Sequence, residues 1–243
     1  QQTRVQTVIP YYNRWIDSFP GIQSVANANM DSLLKMWEGL GYYARVRNFH
    51  SACRIIMSKY SGEIPNNAIL LLELPGVGLY ISGAIMSIAF NRSVPAIDSN
   101  AYRVISRLCT IDHPLLGRKK KAARVMSGLI CDLRPGDFNQ AIMDLGREIC
   151  TPRNPACNAC PLISCCLAAV NNTVDKYPQR LKPSKKPHYR VAAGIIWNNN
   201  KILVSKRKET GLLGGLWEFP GGKIKAGETA IQCIIREVKE ELG

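Results

Sequence analysis

The sequence predicts a mainly α-helical domain followed by the first part of an α/β domain. Up to about residue 170, apolar residues recur at helical spacing, in segments such as "DSLLKMWEGL", "AYRVISRLC" and "FNQAIMDLGREIC". Breaks that contain Gly or Pro, "FPG", "LPGVG" and "RPGD", separate these segments. Further along, two short apolar runs flank Asn198, Asn199 and Asn200, which is the pattern of a β-hairpin.

The domain boundaries follow from changes in composition. We assign residues 1–170 to the helical domain and residues 171–188, which are polar, basic and contain proline, to a linker. Residues 189–243 hold the hairpin, a Gly-rich turn and a final helix, Ala230 to Leu242. About 55 residues are few for an independent core. With no initiator Met at residue 1, we expect the chain to be a piece of a longer protein at both ends.

The charge favours a polyanionic partner. The formal net charge is +14, which indicates nucleic acid first and an anionic surface second. No apolar run approaches the roughly 18–20 residues that span a bilayer, and no signal peptide opens the chain. We expect a monomer in the cytoplasm, associated with the nucleoid if bacterial, with no membrane partner.

A cluster of cysteines indicates a metal centre. Nine cysteines without a secretory signal argue against a disulfide framework. Cys150, Cys157, Cys160 and Cys166 follow one another at gaps of six, two and five residues, and four thiolates in one short loop can hold a compact iron–sulfur cluster. Structural zinc usually takes two separated C-x-x-C pairs, so the spacing favours the cluster.

The segment "LPGVGLY" predicts a tight turn between two helices. Gly76 and Gly78, on either side of Val77, allow the sharp turn and the close approach of another backbone. The helix that follows offers free N–H groups to a phosphate. An ordinary helical hairpin without a ligand is the alternative.

Asp98 directly precedes an apolar-periodic helix in "VPAIDSNAYRV". The plain interpretation is an N-cap, because Asp accepts hydrogen bonds from the free N–H groups of a first turn. A carboxylate at this place can also stabilise a cationic sugar in a transition state. One residue can serve both purposes.

Together these features resemble the helix-hairpin-helix DNA glycosylases that carry a [4Fe-4S] cluster, and within them the MutY-type adenine DNA glycosylases. "QQTRVQTVIPYY", "WEGLGYYARVRNFH", "LPGVGLY", "VPAIDSN" and "NQAIMDLGREIC" are similar to that family, over essentially all of residues 1–170. The resemblance implies the helix-hairpin-helix glycosylase fold and the cluster. It also implies double-stranded DNA as substrate, with adenine removed opposite 8-oxoguanine or guanine by hydrolysis of its N-glycosidic bond.

The resemblance also implies catalytic residues. Asp98 would stabilise the oxocarbenium-like intermediate, with Asn100 in the same turn. Tyr80 occupies the position of a nucleophilic lysine in endonuclease III, and a phenol there cannot form a Schiff base. This implies base excision without strand cleavage. The family usually has "DGN" where this chain has "DSN", so Ser99 is a departure.

Other residues match family positions that contact DNA. Gln2 and Thr3 match residues that approach the orphaned 8-oxoguanine, and Asp144 matches an acidic residue close to the adenine. Leu40 and Tyr42 match the stretch that enters the base stack while adenine is flipped out, a step that costs a few kcal/mol. For Tyr42, a core aromatic is the alternative.

One catalytic group of the family lies upstream of these residues. The family's general acid is a glutamate just before the "QQT" segment, with which this sequence begins. General acid catalysis contributes about 10²–10⁴-fold. We therefore expect a polypeptide limited to residues 1–243 to be nearly inactive as a glycosylase.

The last residues match the Nudix box, a motif of nucleotide pyrophosphohydrolases. The matching positions are Gly222, Glu228, Arg236, Glu237, Glu240, Glu241 and Gly243. On a helix, Glu237, Glu240 and Glu241 could hold Mg²⁺ against a diphosphate. MutY-type proteins carry a Nudix-like domain that recognises 8-oxoguanine, and we interpret the segment in this way.

Two alternative functions differ in their products. An endonuclease III-like lyase would leave a covalent adduct on DNA after borohydride reduction. A Nudix pyrophosphohydrolase would release pyrophosphate from an oxidised nucleotide in a magnesium-dependent reaction.

Overall fold

A computed structural model describes residues 5–111, 118–179, 187–208 and 213–243. The chain forms two compact units, residues 1–181 and 182–243. Both units agree with the predicted fold class, a mainly α domain and a partial α/β domain, and confirm it. The predicted limits of the linker, residues 171–188, stay a prediction.

The first unit is helical. Its α-helices are α1 (Val5–Ser18), α2 (Ile22–Asn27), α3 (Met30–Trp37), α4 (Ala44–Tyr60), α5 (Ala68–Leu72), α6 (Leu79–Ala84), α7 (Ser99–Leu108), α8 (Arg118–Leu129), α9 (Pro135–Glu148) and α10 (Leu167–Val170). A π-helical turn, Ile85–Ala89, continues α6, and short 3₁₀ turns span Cys157–Ala159, Ile163–Cys165 and Val174–Lys176.

Polar residues and proline define where several helices begin. Asn29 accepts a hydrogen bond from the N–H of Asp31 (2.8 Å) at the start of α3. Asn67 does the same for α5 through Ile69 (2.8 Å). Each such cap satisfies an N–H group that has no partner inside the helix. Pro135 begins α9, where its missing N–H costs nothing.

Three buried clusters hold the first unit together. One joins α2, α3 and α4 around Leu33 and Val46, and a second joins α4, α5 and the π-helical turn around Leu71. The third joins α7, α8 and α9 around the fully buried Ile105 and Met126. This third cluster fixes α7, whose first turn follows Asp98.

In its described residues, 187–208 and 213–243, the second unit has short antiparallel strand pairs and one helix. The strands are β1 (Val191–Ala193), β2 (Trp197–Asn198), β3 (Lys201–Ile202), β4 (Ser205–Lys206), β5 (Trp217–Glu218) and β6 (Gly221–Lys223), and the helix is α11 (Ala230–Leu242). β1 pairs with β6, β2 with β3, and β4 with β5. Asn199 and Asn200 both have positive φ angles, 46° and 60°, as a two-residue hairpin turn requires. The predicted hairpin is therefore confirmed.

Helix α11 packs on the β1–β6 pair. Cys233 of α11 is fully buried. A Cβ atom at Gly221 would lie 2.1 Å from the carbonyl oxygen of Ala192, so glycine permits the close approach of the two strands. Among the helices that the structure describes, none combines the length and the apolar character needed to cross a bilayer.

Candidate active site

Asp98 caps α7, and its carboxylate lies at the positive end of the helix dipole. Its Oδ1 accepts a hydrogen bond of 2.7 Å from the N–H of Ala101, and the residue is half-buried. The structure thus confirms the N-cap interpretation. The same hydrogen bond orients the carboxylate, because it holds one oxygen against the helix and leaves the second oxygen for other partners.

Arg103, one turn into α7, connects the turn after Asp98 to two other elements. Its Nη2 donates to Oδ1 of Asn100 (2.9 Å) and to the carbonyl of Gly146 on α9. Its Nε donates to the carbonyl of Cys150 (2.7 Å). Only 7% of Arg103 is exposed, and this burial lowers the pKa of its guanidinium. A buried charge with these partners fixes Asn100, α9 and the start of the cysteine loop relative to one another.

Gly146 allows α9 to come close to the turn that holds Asn100. A Cβ atom at Gly146 would lie 2.7 Å from the Cβ of Asn100 and 3.0 Å from its backbone carbonyl. The first distance is too short for a side chain at residue 146 without a shift of Asn100, and the second is tighter than most Cβ contacts. The close approach is what places the carbonyl of Gly146 within reach of Arg103.

Arg107 makes a second set of contacts with the cysteine loop. Its Nη1 donates to the carbonyl of Thr151 (2.8 Å) and to Sγ of Cys150 (3.2 Å). Its Nε donates to the carbonyls of Val174 (3.2 Å) and Tyr177 (2.9 Å). This one buried side chain therefore holds both the entry and the exit of the loop.

The four predicted ligand cysteines face one small apolar cavity. The lining includes Cys150, Cys157, Cys160, Cys166 and Arg107. Burial, followed by the neighbouring thiols, raises the pKa of Cys157. Cys165 is exposed and does not belong to this lining.

The four thiols around this cavity have the residue type and number that hold an iron–sulfur cluster. In the described part of the chain, no group of three or more His, Cys, Asp or Glu side chains is assembled as a metal-ion site. Four thiols around one cavity, with a guanidinium donating to one of them, fit such a cluster.

The hairpin between α5 and α6 needs its first glycine. Gly76 has a φ of 78°, and a Cβ atom there would lie 2.8 Å from the Cβ of Asn48. The N–H of Val77 donates to the carbonyl of Leu74 (3.1 Å). Gly78 is the N-cap of α6 and, like Gly76, is exposed. The backbone of this turn is therefore accessible.

Tyr80, in the first turn of α6, contacts α9 and lines an open cavity. Its hydroxyl donates to Sδ of Met143 at 3.7 Å. The cavity, of about 440 Å³, is lined by Tyr80, Pro95 and Ile97 among others. Tyr80 therefore lines the same cavity as the residue that precedes Asp98.

Tyr42 is at the end of a turn with an unusual backbone. Gly39, Gly41 and Tyr42 have φ angles of 90°, 71° and 51°, and a bulky residue rarely adopts such a conformation without a functional reason. The indole of Trp37 donates to the carbonyl of Gly41 (2.9 Å) and anchors the turn. Tyr42 is 57% exposed, so the alternative of a core aromatic is wrong.

The N-terminal part of α4 contacts both predicted DNA-contacting turns. Arg45 lies over the ring of Tyr42, 4.7 Å from its centre, while Asn48 packs against Gly76. Leu40 is half-buried. The structure thus links the Tyr42 turn and the glycine hairpin through one helix.

For the remaining residues predicted to contact DNA, the structure shows no more than the position of Asp144. Asp144 is exposed on α9 and pairs with Arg147 at 3.2 Å. Gln2 and Thr3 lie outside the described residues. Their proposed contacts with DNA stay predictions.

In the second unit, one arginine organises the Nudix-box carboxylates. Arg236 binds Glu228 with two hydrogen bonds (2.8 and 3.0 Å) and donates to Glu237 (2.8 Å) and Glu240 (3.2 Å). The bonds from Arg236, and then the backbone N–H of Lys225, lower the pKa of Glu228 to about 2.

Two further residues belong to this box. A Cβ atom at Gly222 would lie 2.1 Å from a carboxylate oxygen of Glu237, so a side chain there would displace this carboxylate. Glu241 is exposed. The Mg²⁺ site predicted at Glu237, Glu240 and Glu241 stays a prediction.

Comparison with known proteins identifies both units. Residues 1–127 match the family described as HhH-GPD superfamily base excision DNA repair protein. The chain belongs to this family. Residues 188–243 match the NUDIX domain.

This HhH-GPD protein is similar to proteins named adenine DNA glycosylase. The chain is 35% identical to an adenine DNA glycosylase of Arabidopsis thaliana, over 90% of this chain and 40% of that protein. It is 36% identical to one of Buchnera aphidicola subsp. Baizongia pistaciae, over 90% and 63%. It is 32% identical to one of Rattus norvegicus, over 98% and 55%. The chain thus spans about half the length of these relatives.

Solved structures agree on the fold of this HhH-GPD protein. A thermostable thymine-DNA glycosylase aligns with a TM-score of 0.65 at 25% identity, over 70% of this chain and 80% of that one. A non-covalent endonuclease III–DNA complex aligns with a TM-score of 0.62 at 23% identity, over 70% and 79%. The predicted family resemblance is confirmed.

Sequence reasoning missed the two arginines of α7. Arg103 and Arg107 are four residues apart in "AYRVISRLC", so they share one face of a strongly apolar helix. Two charges at that spacing inside a helix that packs on others are a signal for a buried polar network. Asn139, which shares the buried face of α9 with Ile142 and Gly146, was also missed.

Arg103→Lys is expected to destabilise the first unit, because an ammonium cannot reach Asn100, Gly146 and Cys150 together. Each buried carbonyl left without its donor costs roughly 1–3 kcal/mol. Urea unfolding measures the change. Arg147→Lys, at an exposed arginine of α9, is the matched control and should change the unfolding free energy by less than about 0.5 kcal/mol. Equal effects of the two substitutions would contradict the bridging role of Arg103.

Acid should destabilise α11 through Glu228. Its pKa falls on folding from 4.5 to about 2, so its ion pair contributes stability above pH 4.5, and this contribution is lost as the pH falls towards 2. Urea titrations from pH 7 to pH 3, followed by the NMR signals of α11, measure the effect. Arg236→Gln should flatten this dependence. An equally steep dependence in Arg236→Gln would exclude this ion pair as the cause.

Proposed function

We propose that the protein is a monofunctional DNA glycosylase that hydrolyses the N-glycosidic bond of adenine opposite 8-oxoguanine or guanine. The observation that carries the proposal is the carboxylate of Asp98, held at the N-terminus of α7 beside the cavity that Tyr80 lines. The relatives named adenine DNA glycosylase support the choice of base.

Excision breaks the bond between C1′ of the sugar and N9 of adenine. The electrons of that bond leave with the base, and the sugar becomes cationic. The carboxylate of Asp98 stabilises this cation until water attacks C1′. Departure of adenine also needs a proton. We assign that proton to the glutamate expected upstream of the "QQT" segment, and the low activity expected of residues 1–243 alone belongs to this proposal.

Duplex DNA is held mainly through its backbone. The exposed hairpin at Gly76, Val77 and Gly78 would offer the N–H groups of its two glycines to phosphates, while the N–H of Val77 is bonded to Leu74. The net charge of +14 favours the encounter. Tyr42, exposed on its strained turn and stacked by Arg45, is suited to enter the base stack with Leu40 when adenine leaves it. Gln2, Thr3 and Asp144 would then approach the two bases of the mispair.

The [4Fe-4S] cluster would be held by Cys150, Cys157, Cys160 and Cys166. It would supply a compact cross-link of the loop and one-electron chemistry. Arg107 fixes the loop from the side of α7, and Arg103 connects its first residue, Cys150, to Asn100.

We assign the second unit to recognition of 8-oxoguanine, on the basis of its match to the NUDIX domain. Hydrolysis of oxidised nucleotides is the alternative, and the intact box of Glu237, Glu240 and Glu241 favours it. Both readings involve 8-oxoguanine chemistry. They differ in whether the unit turns over a free nucleotide.

Asp98→Asn is expected to lower the single-turnover rate of adenine release by about 10²–10³-fold, because the amide lacks the negative charge that faces the sugar cation. Asn can still cap α7, so the fold should be kept. The assay uses the complete open reading frame and a duplex with one adenine opposite 8-oxoguanine. Asp137→Asn, at an exposed carboxylate of α9 that pairs with Arg134, is the control and should leave the rate unchanged. A full rate in Asp98→Asn would exclude the proposal.

Borohydride should trap no covalent complex, because Tyr80 offers no amine to the sugar. The complete protein is incubated with the same duplex and sodium borohydride, and the products are separated on a denaturing gel. Endonuclease III is the positive control. A protein–DNA adduct would contradict monofunctional chemistry.

A further inference from the structure

The residues that lead into Asp98 are held by one side chain of α9. Residues 94–97, which we call the approach segment, lead directly to the cap of α7 and form neither helix nor sheet. Asn139 is fully buried beneath this segment. Its Oδ1 accepts from the N–H of Ala96 (3.0 Å), and its Nδ2 donates to the carbonyl of Val94 (2.9 Å).

The side-chain amide of Asn139 takes the place of a neighbouring strand. In a parallel ladder, one residue bonds to the carbonyl before and the N–H after the residue that it faces. Asn139 makes these same two bonds around Pro95, which has no N–H of its own to satisfy. A third bond, from Nδ2 to Oγ of Ser87 (2.8 Å), fixes the amide from the side of the π-helical turn. Three satisfied hydrogen bonds in a buried place make this position costly to disturb.

Close packing prevents the approach segment from moving away from Asn139. A Cβ atom at Gly83 would lie 2.3 Å from the carbonyl oxygen of Pro95 and 3.2 Å from Cα of Ala96. Ala96 is fully buried and Ile97 is 8% exposed. The segment is thus confined between α6 and α9, and Asp98 directly follows its last residue, Ile97.

We propose that Asn139 is a positioning residue for adenine excision, which holds the approach segment so that the carboxylate of Asp98 stays where the sugar cation forms. Asn139 acts through Ala96 and Val94, not by touching DNA. The carboxylate stabilises the sugar cation much less when it is misplaced, and a shift of about 1 Å can cost 10²-fold in rate. The inference rests on the proposed function, because it assigns Asp98 to the reaction.

Two variants separate the effect of the bonds from Asn139 to the approach segment from the effect of its bond to Ser87. Asn139→Asp has nearly the same shape and can still accept from Ala96, but it cannot donate to Val94 or Ser87 and sets a negative charge against the carbonyl of Val94. Ser87→Ala removes one partner of Asn139 and leaves both bonds to the approach segment. Ser87→Ala is therefore the matched control.

The wild-type protein and the two variants, each as the complete protein, are compared in two measurements. In single-turnover assays, Asn139→Asp should release adenine about 10²-fold more slowly, with DNA affinity within about threefold of wild type, while Ser87→Ala keeps the wild-type rate. In hydrogen exchange, the amides of Ala96 and Ala101 should exchange faster in Asn139→Asp than in Ser87→Ala. Without any substitution, the amide of Ala96 should exchange as slowly as the core of α9, a result that does not depend on whether the variant folds.

Three results would overturn the inference. They are an unchanged rate in a folded Asn139→Asp, an equal loss of rate in Ser87→Ala, and fast exchange of Ala96 in the wild-type protein. A wild-type protein that releases no adenine would refute the proposed function instead. The exchange of Ala96 and Ala101 would still decide, in that case, whether Asn139 fixes Asp98.

Discussion

The hydrogen bonds of one buried guanidinium hold the catalytic region together. Arg103 is 7% exposed and donates to Asn100, to α9 at Gly146 and to the cysteine loop at Cys150. A buried cation is tolerated only when its donors find acceptors, so these three elements cannot separate without leaving a charge unpaired. Contacts with α9 and with the loop that the four cysteines form therefore fix the position of the turn after Asp98.

This constraint connects the cluster of cysteines to the carboxylate that we propose as catalytic. Arg103 and Arg107 both leave α7 towards Cys150, one turn apart, while Asp98 caps the same helix. A cluster bound in the loop would fix the carbonyl of Cys150 and, through it, the geometry of Asn100. We therefore regard the loop as part of the support of the reaction centre. Asn139 supports the other side of Asp98, where the chain enters.

Much of the fold could be predicted from sequence, because it depends on local patterns. Helical periodicity predicted α3, α7 and α9, the three asparagines predicted the β2–β3 turn, and the cysteine spacing predicted that four thiols lie together. The buried roles of Arg103, Arg107 and Asn139 depend on contacts 43 to 70 residues apart. No local pattern specifies those partners, and an Asn near a helix start or an Arg in a helix resembles a solvated residue until the packing is known.

The identity of the released base tests most directly whether the first unit removes adenine, as we propose. The complete protein is incubated in single turnover with duplexes in which 8-oxoguanine faces adenine, cytosine or an oxidised pyrimidine, and the free bases are identified by mass spectrometry. We expect free adenine from the first duplex only, with the DNA strand uncut until alkali is added. Release of the oxidised pyrimidine, or strand cleavage without alkali, would contradict the proposed function.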